Sequence, residues 1–511
     1  MKPGRNWRNR KDAGRIGWVV PPVEHLLARS TDVLQCSYFP EPQLAFAAKQ
    51  LCEDPRTGLA AYGPYSKADP TRRPQIRMGV VGPAEAIDLV GRLLERISQP
   101  VEQKSSVDAV LHPSFPGIND ADPFQVELVT QPVWQRALRA ADVALVEGHP
   151  DFKTRVGLLL GFVTNEIHAL YELDPAPDVV ICAMSEKLED LCRTGIAEYE
   201  REHADVDEHD DEEELPAETA RSFRRGLKAA CLDLLPTQLI WYRTLAGTKR
   251  VQDLATRAWN LSVALLYKSD IIPWRLGDAM EGSCFVGVSF FHEDEARSPY
   301  VRTSIAQAFT DRGEGFVLRG DSFEWDPRVQ REKAPHLDRE QAQRLLARVL
   351  EVYSQQVGGP PRKVVIHKTS RYTENERNGF EETLGSVLHY NLVTVTRRGV
   401  FCLRPGTKAV LRGTVGDYGG KLGLIYTMGY VPFLRCYPGF RIPQPIEVTE
   451  NWGSISLGET AADLLRLTKL NWNTAAFSCR DPITLAFSRR VGDILKMAKG
   501  KEPAIHYRYY M

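Results

Sequence analysis

The chain has 511 residues, of which 43% are hydrophobic and 26% are charged, as is typical of a globular protein with two or three domains. It has no apolar run of about 18 residues, and its basic start is not followed by an apolar stretch, so neither a membrane span nor a signal peptide is predicted. The nine cysteines are scattered without a C-x-x-C pair, which argues against a disulfide framework and a structural zinc site. We therefore expect a cytoplasmic protein.

The formal net charge of −1 hides an uneven distribution of charge. Segment 202–214 has nine acidic residues and no Lys or Arg, and without it the chain has 65 basic against 57 acidic residues. The stretch from Asp278 to Met511 has 32 basic and 26 acidic residues. This distribution permits a polyanionic partner such as a nucleic acid, whereas the acidic segment itself is typical of a disordered surface insertion.

Regular elements are predicted after residues 1–40, which we interpret as an arm with little structure of its own. Residues 76–81 are predicted to form a strand, and the helix after it has apolar residues at helical spacing: Ala86, Ile87, Val90, Leu93, Leu94 and Ile97. A second strand is predicted at 178–182, followed by a helix with Ser185 as its N-cap. Successive units of this kind indicate a parallel sheet covered by helices.

The pattern of elements changes near Gly277, where we place a domain boundary. Before it, the sequence predicts two helices and a short strand: 222–234, 251–268 and 239–240. After it, three strands and a helix with a capping box at Asp338 and Gln341 are predicted: 284–291, 364–366, 392–395 and 338–353. The fold class is therefore α/β, with domains at 41–277 and 278–511.

Four polar side chains of the first domain form a candidate anion site: Arg224, Lys228, Gln238 and Lys268. Arg224 and Lys228 stand four residues apart on one predicted helix, where like charges repel unless an anion lies between them. Gln238 follows that helix, and Lys268 ends the next one. Converging Lys, Arg and Gln side chains suit a terminal phosphate. Two basic residues at this spacing are, however, more often a solvated helix face.

Several tracts resemble prokaryotic Argonaute proteins in sequence and in order. They are 235–239 (LPTQL), 267–268 (YK) leading to Pro273-Trp274, 467–474 (LTKLNWNT) and the terminus 506–511 (HYRYYM). The tract from Cys52-Glu53-Asp54 to Tyr65, with Phe115-Pro116-Gly117 later, resembles the short Argonautes, which contain only MID and PIWI domains. The resemblance implies a Rossmann-like MID domain at 41–277 and an RNase H-like PIWI domain at 278–511.

The resemblance also implies a role for the candidate anion site. Arg224, Lys228, Gln238 and Lys268 match the order of the MID residues that hold the phosphorylated 5′ end of a guide strand. The family uses the C-terminal carboxylate as well, here that of Met511, with a divalent cation, expected to be Mg²⁺, bridging it to the guide phosphates. The expected guide is RNA, and the expected target is single-stranded DNA.

Two positions of the second domain bear on catalysis. By the resemblance, the strand-borne Asp residues of an active PIWI site would stand at Ser289, after Gly287-Val288, and at Thr369, after His367-Lys368. A hydroxyl does not replace the charge of a carboxylate in holding Mg²⁺. We therefore expect no catalytic residues and no enzymatic activity in this chain.

Three classes of function follow from these features. The first is a guide-loaded recognition subunit of an immune system against plasmids or phage. Its expected partner is an APAZ-containing effector of TIR, SIR2 or nuclease type, bound as a heterodimer that depletes NAD or degrades nucleic acid; no membrane partner is expected. The second is an active nuclease, if carboxylates such as Glu281 or Glu293 complete a metal site. The third is a small-molecule enzyme on a doubly wound sheet, which the absence of a glycine-rich turn disfavours.

Overall fold

The described part of the first half of the chain, from residue 35 to residue 276, contains both strands and helices. The strands are β1 (Gln35–Tyr38), β2 (Leu44–Ala45), β3 (Leu51–Cys52), β4 (Gln75–Gly82), β5 (Glu127–Val129), β6 (Gln135–Ala137), β7 (Val179–Ala183), β8 (Thr237–Ile240) and β9 (Arg275–Leu276). The helices are α1 (Pro55–Tyr62), α2 (Ala84–Ile97), α3 (Ala140–Gly148), α4 (Phe152–Tyr171), α5 (Glu186–Arg193), α6 (Glu218–Ala230), α7 (Tyr242–Ala246) and α8 (Leu254–Lys268).

The second half of the chain is richer in long strands. They are β10 (Ser283–Phe291), β11 (Val301–Thr310), β12 (Gly315–Glu324), β13 (Lys363–Lys368), β14 (His389–Thr396), β15 (Thr414–Asp417), β16 (Gly423–Ile425) and β17 (Ile446–Gly453). The helices are α9 (Arg339–Val357), α10 (Glu374–Thr383), α11 (Leu457–Leu467) and α12 (Ile483–Met497), and a short 3-10 helix, Tyr507–Tyr509, follows them.

These elements belong to a computed structural model, which describes residues 35–104, 108–193, 218–248, 251–291, 301–326, 328–330, 333–397, 409–439, 442–498, 501–502 and 504–511. The acidic segment 202–214, residues 1–34 of the predicted arm and Glu293 lie outside the described residues. No helix in the described part of the chain is both long and apolar enough to cross a bilayer.

A parallel sheet organises the first half of the chain. Its strands run in the order β5-β4-β7-β8, with β6 also paired to β4, and each of these pairs is parallel. Alternating residues of β4 face opposite sides, so that Val80 packs with α2 and α8 while Val81 packs with α4, α5 and α6. The predicted Rossmann-like arrangement of a helix-covered parallel sheet is confirmed.

A mixed sheet of nine strands organises the second half. Its order is β1-β15-β16-β17-β14-β13-β10-β11-β12, in which β10, β13 and β14 are parallel and β11, β12 and β17 are antiparallel to their neighbours. Helices α9 and α10 cover one face, and α11 and α12 cover the other. This arrangement agrees with the predicted RNase H-like fold. The edge strand β1 also shows that residues 35–38, at the end of the predicted arm, pair with β15.

Most of the predicted helices are specified by local features of the sequence. The six apolar residues predicted for the buried face of α2 are all buried. The capping box of Asp338 and Gln341 is present at the start of α9. Some ends differ: α6 stops at Ala230 rather than 234, and α8 starts at Leu254 rather than 251, because the side chain of Asp253 accepts hydrogen bonds from the first free N–H groups of α8.

The two sheets share one hydrophobic core. A single cluster of buried side chains includes Val80 of the first sheet, Phe285 of the second and Leu265 of α8 between them. Residues 36–511 accordingly form one compact unit. The domain boundary near Gly277 therefore remains a prediction, since the packing is continuous across it.

A buried ionic network ties the start of the described chain to the second half. Arg412 donates through Nε to both carboxylate oxygens of Glu41, at 2.9 Å each, and Lys469 Nζ lies 2.8 Å from Oε1 of the same group. Burial opposes the charge of Glu41, but the two cations hold the pKa of Glu41 below its usual value, and burial lowers the pKa of Lys469 to about 8. Removing one partner from such a network typically lowers the free energy of unfolding by about 3–5 kcal/mol.

Candidate nucleic-acid interface

Helix α6 presents two cations on its C-terminal half. Arg224 is half-buried, and Lys228, one turn later, is only 3% exposed. The ammonium of Lys228 donates to the carbonyl oxygen of Thr237 at the start of β8. Burial and the neighbouring charge of Arg224 lower the pKa of Lys228 to about 7. The close spacing of two cations thus makes the charged form of Lys228 costly.

Strand β8 and the end of α8 add the other two residues of the candidate anion site. Lys268, the last residue of α8, is 2% exposed, and its ammonium donates to Oε1 of Gln238. The amide nitrogen of Gln238 donates to the carbonyl oxygen of Leu239 at 3.2 Å. Burial, then the charge of Lys228, then that of Arg224 lower the pKa of Lys268 well below its usual value. The structure therefore brings Arg224, Lys228, Gln238 and Lys268 together.

The groups that counteract the lowered pKa values of the two lysines carry no negative charge that would balance the ammonium groups. The groups that favour the charged form of Lys228 are the thiols of Cys182 and Cys231. Burial raises the pKa of both thiols, that of Cys231 to about 12, so both are uncharged at neutral pH. An anion from a ligand would stabilise the charged forms of Lys228 and Lys268 together. We call Arg224, Lys228, Gln238 and Lys268 the anion pocket.

The last residues of the chain dock against the end of α8 that carries Lys268. The ring of Tyr507 packs edge-on against that of Tyr267, with centroids 6.3 Å apart, and Arg508 pairs with Asp270 at 3.0 Å. On the other side, the N–H of Val317 in β12 donates to the carbonyl oxygen of Ile505 at 2.8 Å. Met511 is only 1% exposed. The predicted site residue Met511 thus lies in the segment that packs beside the anion pocket.

Helix α12 connects the anion pocket to the nine-stranded sheet. Near its C-terminal end, Asp493 pairs with Arg225 of α6, and Met497 lies opposite Gly226. Near its N-terminal end, the helix backbone touches β10 so closely that a Cβ on Gly287 would meet the carbonyl oxygen of Thr484 at 2.0 Å. One helix of 15 residues therefore packs against both parts of the candidate interface.

Ser289 and Thr369 lie at the same end of two neighbouring parallel strands. Gly287 of β10 is paired with His367 of β13, and each predicted position is two residues further along its strand. The hydroxyl of Ser289 donates to the carbonyl oxygen of Ser488 in α12 at 3.3 Å, whereas Thr369 is exposed. The structure brings these two residues together at the carboxyl ends of β10 and β13.

Of the two carboxylates considered for a nuclease site, Glu281 is not at this end of the sheet, and Glu293 lies outside the described residues. Glu281 precedes β10, eight residues before Ser289, which is about 26 Å along an extended strand. It is therefore too far away to share a metal ion with the Ser289 position. Among the described residues, no group of three or more His, Cys, Asp and Glu side chains is arranged to hold a metal ion.

Sequence reasoning missed a buried ion cluster at the end of β13. Lys368 Nζ lies 2.5 Å from Oε1 of Glu376, and His336 Nδ1 lies 2.9 Å from its Oε2. The charge of Lys368 and the contact with His336 keep the pKa of Glu376 low although burial opposes this, and burial lowers the pKa of Lys368. The capping box of Thr373 and Glu376 was visible in the sequence as T-x-x-E, but the lysine partner depends on the tertiary fold.

Comparison with known proteins identifies the fold. No protein-family model and no curated protein matches the chain. Among solved structures, it is similar to Clostridium butyricum Argonaute bound to a guide DNA and a 19-mer target DNA, at 14% identity and a TM-score of 0.57, covering 91% of this chain and 54% of that one.

Two further structures agree with this likeness. Aa-Ago with externally bound siRNA matches at 14% identity and a TM-score of 0.54, covering 94% of this chain and 56% of that one. A. aeolicus Argonaute matches at 13% identity and a TM-score of 0.54, covering 93% and 55%. The chain thus has the α/β fold of the MID and PIWI part of Argonaute proteins. It spans slightly more than half the length of each of these three structures.

Lys228 makes the stability of the ligand-free protein depend on pH. Below about pH 7 both the folded and the unfolded state bind the lysine proton, and the fold bears the full cost of the buried charge. Between pH 7 and the ordinary value of 10.5, only the unfolded state binds it. The free energy of unfolding should therefore rise with pH, by at most about 1.4 kcal/mol per pH unit from this group.

Urea denaturation of the wild type and of Lys228→Met between pH 6.5 and 9 measures this contribution. The variant should show a smaller rise in unfolding free energy with pH, because the titrating group is gone. Lys187→Met, which alters a lysine with a 66% exposed side chain, serves as the control and should keep the wild-type slope. Equal slopes for wild type and Lys228→Met would contradict the assignment.

Proposed function

We propose that this chain recognises nucleic acid through a guide strand whose 5′ phosphate binds in the anion pocket. The observation that carries this proposal is the convergence of two buried lysines, Lys228 and Lys268, with Gln238 between them. Burying two ammonium groups is costly, and a phosphate dianion is the ligand that offsets this cost best. Arg224, at the more exposed side of the pocket, adds a third cation.

The similar structures support nucleic acids as the ligands. Clostridium butyricum Argonaute is bound to a guide DNA and a target DNA, and Aa-Ago to siRNA. For this chain we propose an RNA guide and a single-stranded DNA target. Mg²⁺ would fit at a carboxylate of Met511 only together with guide phosphates, since one carboxylate supplies too few oxygen ligands for a hard divalent cation. Such an ion would neutralise the charge of the guide phosphates.

Replacing Lys228 and Lys268 together by Met tests the pocket. Met keeps much of the volume of the lysine stems while removing both charges. Each charge-assisted contact contributes about 1.5–3 kcal/mol, so the double variant should lose the preference for a phosphorylated guide. The measurement is the affinity for guides with and without a 5′ phosphate.

The matched control is Lys153→Met with Lys187→Met, which removes two exposed lysines. This variant should keep the preference for the 5′ phosphate. Circular dichroism and thermal denaturation check that both double variants are folded. If the wild-type chain binds phosphorylated and unphosphorylated guides equally, the pocket assignment is wrong.

We propose further that the chain does not cleave its target. Ser289 and Thr369 offer hydroxyls where a two-metal site needs carboxylates. Incubation of guide-loaded protein with a complementary target and Mg²⁺ or Mn²⁺ should therefore yield no product. A discrete product opposite the middle of the guide would refute this. Changing both residues to Asp should not restore cleavage, because the Ser488 carbonyl oxygen, 3.3 Å from the Ser289 hydroxyl, would repel a carboxylate.

A protein that recognises nucleic acid but catalyses no reaction cannot by itself act on what it recognises. We propose that a partner protein supplies this activity. The proposed partner is an APAZ-containing effector of TIR, SIR2 or nuclease type, which binds as a heterodimer and stops plasmids or phage when a target is recognised. Target binding activates the effector only if the paired state favours a different conformation of the complex. Purification of this chain from its native host should bring the effector at equal stoichiometry. Plasmid restriction by the chain alone would overturn this part of the proposal.

A further inference from the structure

The ends of three parallel strands form one edge of the nine-stranded sheet, which we call the carboxyl edge. It consists of Ser289 of β10, Thr369 and Arg371 after β13, and Arg397 after β14. Lys368 of β13 is paired with Thr394 of β14, so Arg371 and Arg397 each lie three residues beyond that pair. The carboxyl edge thus combines hydroxyls with guanidinium groups where a two-metal nuclease has carboxylates.

The two arginines of the carboxyl edge differ in their partners. Arg397 Nε donates to Oδ1 of Asp481 at 2.8 Å, which offsets its charge. Arg371 is exposed and has no hydrogen-bond or ion-pair partner in the part of the chain that the structure describes. Thr369, two residues earlier, is exposed too, and its hydroxyl likewise makes no hydrogen bond there. One cation and one hydroxyl are therefore available to a ligand.

Two buried or half-buried carboxylates near the end of β13 are engaged by the protein itself. Glu376 is fully buried and holds Lys368 and His336. Glu450 accepts, through Oε2, the backbone N–H of Tyr372 at 2.9 Å and the hydroxyl of Thr394 at 2.7 Å. These two carboxylates keep the end of β13 in place, and neither of them pairs with Arg371.

We propose that the carboxyl edge binds a phosphodiester of the target strand without a metal ion. The guanidinium of Arg371 supplies the positive charge that two divalent cations supply in an active nuclease, and the hydroxyl of Thr369 donates a hydrogen bond to a phosphate oxygen. The bound phosphate is the one opposite the middle of the guide, because Ser289 and Thr369 occupy the positions that would hold the metals. This inference rests on the proposed guide-dependent function.

The affinity of the guide-loaded full chain for a complementary target tests this. Arg371→Ala should weaken target binding about tenfold and reduce the dependence of log Kd on log salt concentration by about one. Arg371→Lys should keep most of the affinity. EDTA should leave target binding unchanged in a wild-type chain that is shown to keep its guide after the treatment. Guide affinity should be the same in all variants.

Arg362→Ala is the matched control. Arg362 is also exposed and without a side-chain partner among the described residues, but it precedes β13 at the opposite end of the same strand, about 23 Å from Thr369. This variant should bind target like the wild type. A loss as large as that of Arg371→Ala would indicate a general effect of charge and overturn the inference.

A chemically altered target locates the contact. A single neutral methylphosphonate linkage opposite the middle of the guide should weaken binding by the wild type as much as Arg371→Ala does, and should cause no further loss in that variant. Additive losses, unchanged binding by Arg371→Ala, or a need for divalent ions would overturn the proposal. If the wild type binds no guide, the proposed function fails at that earlier step.

Discussion

The proximity of Lys228 and Lys268 is the constraint on which the candidate interface depends. Two buried ammonium groups come together because α6 and α8 lie on opposite faces of the first sheet and both reach its edge strand, β8. Each lysine is satisfied by β8, one through the backbone carbonyl of Thr237 and the other through the side chain of Gln238. Each ammonium thus has one neutral hydrogen-bond acceptor but no anionic partner among the described residues, and this combination favours an anionic ligand over a purely structural role.

Helix α12 fixes the distance between the two parts of the interface. Its first turns pack against β10 beside Ser289, and its last turns pack against α6 beside Lys228. Fifteen residues of helix span about 22 Å, so the anion pocket and the carboxyl edge are held at a set separation by one rigid element. A strand anchored by its 5′ phosphate in the pocket would therefore meet the carboxyl edge at a constant distance from its end. A guide strand needs such a constant distance between its anchored end and the carboxyl edge.

The sequence predicted the elements that are specified locally. Helix α2 followed from six apolar residues at helical spacing, and α9 from its capping box, since both signals act within a few residues of the chain. The long hairpin of β11 and β12 was missed although Gly313, at φ +85°, marks its turn; its strands are held further by pairing of β11 with β10 and of β12 with the docked segment 505–511. The spacing of Arg224 and Lys228 was readable; the position of Lys268 beside Gln238 required the family resemblance, because 30 residues separate them.

The carboxyl edge could not be predicted because its chemistry depends on which charges cancel. The arginines of the second half look alike in the sequence, yet Arg397 is paired with Asp481, Arg412 with Glu41, and Arg371 with nothing in the described part of the chain. Paired charges contribute little to the field outside the protein, since opposite charges a few ångströms apart act as a dipole. The guanidinium of Arg371, just after β13, has no ion-pair partner among the described residues, so none of these offsets its charge. Net charge therefore says little about nucleic-acid binding here, and the pattern of pairing decides where a phosphate can be held.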